Sequence, residues 1–341
     1  MLDDLSGGLA PERDMVLTEK PADPEMREGT SVWLFEENGA FAFPRLGIEA
    51  VSASWDTHSF NANFTFADGR VLDGANHGPA KSPIGEDGGP SVLGAGPITF
   101  TCIEPFRRWK MVFDGPAKDG NVSQQMTIGN LDSCGTTQIR LEADMTMVTP
   151  AWVQDTSDTT GMSPQEMADA LAMGVGCRFE HLFRANGKVT IDGKSREFKG
   201  TGLRIHRHSI RRTEGFTGHV WQSAVFPDGR AFGLCVYPTR ADGSPGYNQA
   251  YIYQGGRMIK ARMVKGAFIT RVVPSGEDVS FELESELGRT RIKGTTTFST
   301  FMMNNPLFPL TLQQGGALYT WDGQSGYGMI ERSTPEKIPV G

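Results

Sequence analysis

Positive charge is in short supply. The 33 lysines and arginines are outnumbered by 40 aspartates and glutamates, for a formal net charge of -7. Such a chain has no general attraction for a phosphate backbone, so nucleic acid is not an expected partner. Long hydrophobic runs are missing too. No stretch approaches the roughly 20 apolar residues of a membrane-spanning helix, and the opening MLDDLSGGLAPERDM is too acidic for a secretory leader. Cysteine is sparse and dispersed: Cys102, Cys134, Cys177 and Cys235 form no close pair of the zinc-knuckle or redox-loop kind. They read as reduced structural thiols of a cytoplasmic protein. The glycines between Gly85 and Gly96 lack the Lys-Ser/Thr ending of a phosphate-binding loop, and His-Glu-x-x-His, Gly-x-Ser-x-Gly and Cys-x-x-Cys are all absent. Neither a cofactor nor a metal is expected.

What is abundant is glycine, with 42 residues, and phenylalanine, with 20, in a chain of 341 that is 38% hydrophobic. That length and composition provide a substantial core, divided over two domains or held in one large β domain. Segments such as SFNANFTFADGRVLDG, KVTIDGKSREFKG and SAVFPDGRAFGLCVYP alternate apolar and polar residues around glycine-containing turns. This is the pattern of half-buried antiparallel strands. One stretch differs: Ser163-Pro164-Gln165-Glu166 ahead of MADALAM is a capping box with proline at the first helical position. It predicts a helix from Pro164 to Met173, ended by Gly174, with Met167, Leu171 and Met173 as its packing residues. The turn Asp68-Gly69-Arg70 recurs 160 residues later as Asp228-Gly229-Arg230, an echo of two similar β units or simply a favourable hairpin turn repeated. The expected organisation is an N-terminal extension over residues 1–28, a β domain over 29–175 that includes the helix, and a second β domain over 176–341.

Candidate chemistry concentrates in the second half. His206 and His208 share one strand face, as do His219 and Trp221, and Tyr251 and Tyr253. The His206/His208 pair could ligate a metal, but no third ligand is specified, and the plainer reading is two histidines bonded within a barrel. Tyr319, Trp321, Tyr327 and Glu331 follow. Together they suggest an aromatic cavity with a few protic groups, suited to an unsaturated apolar substrate. Glu331 sits in a stretch expected to be packed, where desolvation would favour its protonated form, or where it would pair with Arg211 or Arg212 to lock the barrel end. Arg204, Arg207, Arg211 and Arg212 make the segment locally basic and could orient a substrate carboxylate or phosphate.

The ordered set Gly200-Thr-Gly202-Leu-Arg204-Ile-His206-Arg-His208-Ser209-Ile-Arg211-Arg212, then His219-Val-Trp221 and FPDGR, then Gly326-Tyr-Gly328-Met-Ile-Glu331, resembles the carotenoid 1,2-hydratase and AttH-like superfamily, most closely its uncharacterised bacterial branch. The resemblance covers most of the chain, including Glu104 to Trp109. It implies an all-β protein of two lipocalin-like antiparallel barrel or sandwich domains, with a short helix between or inserted, meeting at or enclosing a hydrophobic cavity. The resemblance matches His208, His219, Trp221 and Glu331 to family motif positions; with the aromatic and basic positions read above, His208, His219, Glu331 and Tyr251 are the expected catalytic groups. Trp221, Tyr253, Arg204, Arg211, Trp321 and Tyr327 are the expected substrate contacts. Tyr251-Ile-Tyr253 departs from the Tyr-x-Asp of the hydratase pattern and leaves proton delivery unassigned. The expected function is a cofactor-independent hydratase or hydro-lyase acting on a hydrophobic, isoprenoid-like alkene or alcohol. The alternatives are a lipid or isoprenoid carrier and an isomerase or pericyclic cyclase. The expected partner is a hydrophobic small molecule, and the sequence specifies no oligomeric state.

Overall fold

A computed structural model describes residues 4–211, 216–303 and 310–341. The first sheet contains β1 (Met26–Glu36), β2 (Phe41–Val51), β3 (Thr57–Phe66), β4 (Arg70–Asp73), β5 (Asn76–Pro79) and β6 (Val92–Ala95). It continues with β7 (Ile98–Glu104), β8 (Arg108–Asn121), β9 (Thr136–Met147), β10 (Trp152–Asp155), β11 (Gly176–Ile191) and β12 (Lys194–Ile210). The second sheet contains β13 (His219–Val225), β14 (Ala231–Val236), β15 (Asn248–Gln254), β16 (Arg257–Lys265), β17 (Phe281–Ser285), β18 (Gly288–Met302), β19 (Thr311–Trp321) and β20 (Gln324–Thr334). Two short α-helices, α1 (Val122–Ile128) and α2 (Pro164–Ala172), complete the described elements apart from two 3-10 turns.

Both sheets close. In the first, β9 pairs with β8 on one side and β11 on the other, completing the antiparallel ring β1-β2-β3-β4-β8-β9-β11-β12. In the second, β13 through β20 pair in order and β20 returns to β13. The protein is therefore all-β, with two closed antiparallel barrels. Strand alternation explains their filling: β9 reads exposed and buried at successive positions almost throughout, so one face supplies core and the other meets solvent. Phe41, Phe43, Phe64, Phe113 and Phe198 pack inside the first barrel, while Phe232, Phe281, Tyr319 and Trp321 fill the second. Each such buried ring contributes on the order of 2–3 kcal/mol.

Where alternation vanishes, both strand faces are covered. β13 is buried at all seven positions, and β1 over nearly all its length, because their outward faces press the barrels together. Trp33, Phe35, Leu203 and Ile205 of the first barrel meet Trp221, Val225, Tyr251 and Met329 of the second in one apolar cluster. Gly316 makes room for Phe35: a Cβ there would lie 2.5 Å from its ring.

Three expectations need correction. The strands over 176–210 are hydrogen-bonded into the first sheet, so the two sheets divide between β12 and β13 and not at residue 175. The long β11/β12 hairpin is needed to close the first ring. The expected extension over 1–28 ends earlier, since β1 begins at Met26, and it is docked on the first barrel: Asp14 is fully buried and accepts hydrogen bonds from the Phe106 amide at 2.5 Å and Trp109 Nε1 at 3.0 Å. α2 has the expected Ser163/Glu166 capping box, but Leu171 is exposed, and the helix instead buries Asp169 and Ala170. α1, with its own Asn121/Gln124 capping box, was not foreseen. No helix among the described residues is long and apolar enough to cross a membrane.

Candidate functional site

A cavity of about 370 Å³ lies between the barrels, toward the small end of the usual range for ligand pockets. Its walls are the outward-facing positions of strands whose inward positions make the cores. Arg27, Gly29, Ser31 and Trp33 come from β1, Arg45 and Glu49 from β2, Arg178 from β11, and Ile205 and Arg207 from β12. Across from them stand His219 and Trp221 of β13, Cys235 of β14 and Glu331 of β20, with Met173 beside the end of α2. Phe216, Tyr237, Met302 and Leu312 add to the apolar wall.

The expected meeting of His219, Trp221 and Glu331 does occur, but outside the second barrel and not within it. Strand β13 pairs with β20 so that Trp221 lies opposite Glu331 and His219 opposite Ser333. His219 Nε2 is 3.2 Å from Glu331 Oε1, and His219 Nδ1 is 2.7 Å from Ser333 Oγ. Gln314 donates to the other Glu331 oxygen at 2.7 Å. Burial opposes ionisation of Glu331, but His219, Arg45 and Gln314 outweigh it and lower its pKa to about 2. The expectation of a desolvated, protonated Glu331 is therefore reversed: this is a carboxylate. Its expected ion-pair partner also differs. Arg211 lies 3.8 Å from Glu49, and Arg212 falls outside the described residues.

The acid whose protonated form burial does favour is Glu180, which the sequence reading missed. Desolvation raises its pKa to about 6 against the pull of Arg178 and the Trp221 hydrogen bond. Arg178 Nη2 donates to Glu180 Oε1 at 2.7 Å, and Trp221 Nε1 donates to Oε2 at 3.2 Å. The Arg178 guanidinium also lies 4.8 Å from the Trp221 ring centroid, and Arg45 lies 5.7 Å from that of Trp33. The two indoles meet edge to face at 4.9 Å.

Three of the cavity's arginines share one acid. Glu49 is 3.4 Å from Arg27, 3.7 Å from Arg45 and 3.8 Å from Arg211. Arg207 bonds to Ser209 Oγ at 3.2 Å and has no carboxylate within ion-pair distance among the described residues. Burial, then Arg178 and Arg211, push its pKa down to about 9. A signal for these residues was present: Arg27, Arg45, Glu49, Arg178 and Glu180 are charges set at outward positions of strands otherwise mostly apolar.

Other expected site residues lie elsewhere. Arg204 and His208 project from the opposite face of β12 to Arg207, into the first barrel, because period-two alternation separates even from odd positions. There Arg204 donates to Asp14 at 2.6 Å, and His206 and His208 each place Nε2 3.2 Å from Glu28 Oε1. Glu28, His206 and His208 offer ligand atoms within 4.8 Å of one another, a set chemically able to hold a divalent cation. Hydrogen bonds already engage all three, and Glu28 Oε2 accepts the Leu17 amide at 3.0 Å. Tyr251 and Tyr253 sit in the inter-barrel cluster outside the cavity wall. Burial and then the charge of Glu180 keep the Tyr251 phenol protonated. Trp321 belongs to the second barrel's core, and Tyr327 packs beside Phe298 at 5.9 Å.

Comparison with solved structures finds the same two-barrel fold at low identity. An AttH-like protein of Nitrosomonas europaea matches with a TM-score of 0.58 and 14% identity, over 98% of this chain and 99% of its own. CghA in complex with Sch210972 matches with a TM-score of 0.57 and 12% identity, over 91% and 89%. Kievitone hydratase of Nectria haematococca gives 0.51 and 11%, over 97% of both chains. These likenesses show the fold alone, two antiparallel barrels in tandem. No curated protein matches it in sequence. Residues 18–336 match the family model described as a domain of unknown function, DUF7064, and with nearly the whole chain inside that match the protein belongs to this family.

Proposed function

We propose that the protein is a hydratase or hydro-lyase acting on a hydrophobic alkene or alcohol in the cavity between the barrels. The observation that carries this reading is the buried His219–Glu331 pair at the wall of a cavity lined by Trp33 and Trp221. An imidazole can exchange a proton near neutral pH, and an ionised Glu331 holds the ring in place. In the hydration direction, His219 takes a proton from water as the water oxygen bonds to one alkene carbon. The proton is then returned to the other carbon, so that one molecule of water is added. Dehydration is the same path reversed. The two-barrel likeness to kievitone hydratase supports the reaction class, and the cyclase alternative stays among the outcomes of the test.

The finer reading, an isoprenoid-like substrate as in carotenoid hydratases, rests on the His208-Ser209, His219-x-Trp221 and Glu331 elements, of which His208 lies away from the cavity. All four cysteines are free, which supports a reduced, cytoplasmic setting. The deciding experiment incubates the protein with a panel of hydrophobic alkenes in water enriched in oxygen-18. Enzyme-dependent labelled alcohol that is lost in His219→Gln supports the proposal. Tight binding without labelled product points to a carrier, or to a cyclase if a rearranged isomer forms.

A further inference from the structure

The charge lining the cavity does not suit a neutral hydrocarbon. Five guanidiniums, those of Arg27, Arg45, Arg178, Arg207 and Arg211, face it, while the carboxylates in and behind its wall are Glu49, Glu180 and Glu331. Two positive charges are left uncompensated among the described residues. Among the described residues, the Nε atoms of Arg27, Arg45 and Arg178 are buried there without a hydrogen-bond partner, and leaving such donors unmet costs free energy. Like-charged guanidiniums gathered around a single Glu49 also repel one another. Both costs are removed by an anion with several acceptor oxygens, which planar guanidiniums bind in pairs of parallel hydrogen bonds.

We infer that the cavity receives an amphiphile whose oxyanion, a carboxylate or a phosphate, sits against Arg27, Arg45, Arg207 and Arg211 while its hydrocarbon lies along Trp33 and Trp221. This deepens the hydratase reading and rests on it only for the location of the ligand. It also fixes the sign of charge the site favours during reaction. One face of Trp221 already carries the Arg178 guanidinium, and the surrounding arginines oppose a substrate carbocation. Negative charge developing on a substrate oxygen is stabilised instead. An alkene conjugated to a carbonyl group meets that requirement. When the water oxygen bonds to the far carbon, the alkene electron pair moves onto the carbonyl oxygen, and the proton held by His219 then returns to the near carbon.

The test titrates the full-length protein by calorimetry with decanoate, decyl phosphate, decanol and decyltrimethylammonium. The expected result is that one or both anions bind at least about tenfold tighter than decanol, with the advantage shrinking as salt is raised, and that the cation does not bind. Preference between decanoate and decyl phosphate identifies the headgroup. Arg207→Gln is expected to bring the anion-to-alcohol ratio toward one and to raise the thermal midpoint of the ligand-free protein by relieving repulsion. Arg27→Gln provides the same reading at a second position. Equal binding of decanol and both anions, unchanged in both variants, overturns the inference. Labelled product from neutral, unconjugated alkenes alongside equal binding would leave the hydratase reading standing and this one refuted. Selective anion binding with no labelled product from any unsaturated acid or phosphate would do the reverse.

Discussion

Glu331 is buried as a carboxylate, and that choice should be readable as pH-dependent stability. Its ordinary value of 4.5 falls to about 2 in the folded protein, the His219, Arg45 and Gln314 interactions outweighing burial. A carboxyl group with a depressed folded pKa contributes stability that is fully present above its unfolded value and is lost as pH falls toward the folded one. The loss therefore begins near pH 4.5 and runs toward pH 2. Integrating the linkage relation between pH 6 and pH 3 gives about 2 kcal/mol from this one residue. Glu331→Gln keeps the shape of the side chain and cannot titrate, so the variant should be less stable than the parent at pH 6 and should approach it as pH is lowered. Asp14, Glu28 and Glu49 are also held below the ordinary carboxylate range, but they titrate in both proteins and cancel in the difference. The assay is urea unfolding of both proteins at half-unit intervals from pH 6 to pH 3. A stability difference that stays constant across this interval would refute the assignment of Glu331 as an anion locked by His219.

Trp221→Phe removes the donor to Glu180 while keeping an aromatic ring. The pKa of Glu180 should rise above about 6, followed by the carboxyl carbon shift in an NMR titration, and a stability loss of about 1–3 kcal/mol should accompany it. Asp14→Asn leaves the Arg204 guanidinium buried without its carboxylate partner and should cost about 3–5 kcal/mol in chemical denaturation. Deletion of the segment up to Asp14 should be at least as damaging, whereas a free N-terminal extension would be dispensable. Leu171→Ser, at an exposed position of α2, should move the unfolding midpoint little, with a change within about 0.5 kcal/mol.

The barrel class was legible because alternation is a local property: β3, β9 and the β13/β14 hairpin can be read from their own residues. Ring closure was not, since β9 must bridge β8 and β11, and nothing local in Thr136–Met147 specifies both neighbours. The same limit misplaced the boundary between the two sheets. His219 and Trp221 were legible as a same-face pair, and the in-register pairing of β13 with β20, which no local pattern specifies, sets Glu331 beside them. His208 lies with His206 inside the first barrel, as the plainer barrel-histidine reading has it, and not at the cavity where a catalytic role would need it: same-face spacing reveals that two residues share a side but not which side faces the cavity. Glu180 and Glu49 carried a signal, a charge in a mostly apolar strand, but it could not be read as a site: such a charge reads as solvent-facing until a second barrel is known to cover it.

The odd and even positions of β1, β12 and β13 answer to different demands. On β12, Arg204 and His206 are bound into the first barrel's interior, while Ile205 and Arg207 face the cavity. A substitution at one set leaves the neighbouring set in place, so ligand preference can drift through lineages without the scaffold having to be refolded each time. Chains at only 11–14% identity share the tandem barrels, as expected where the scaffold depends on one set of positions and the cavity on the other.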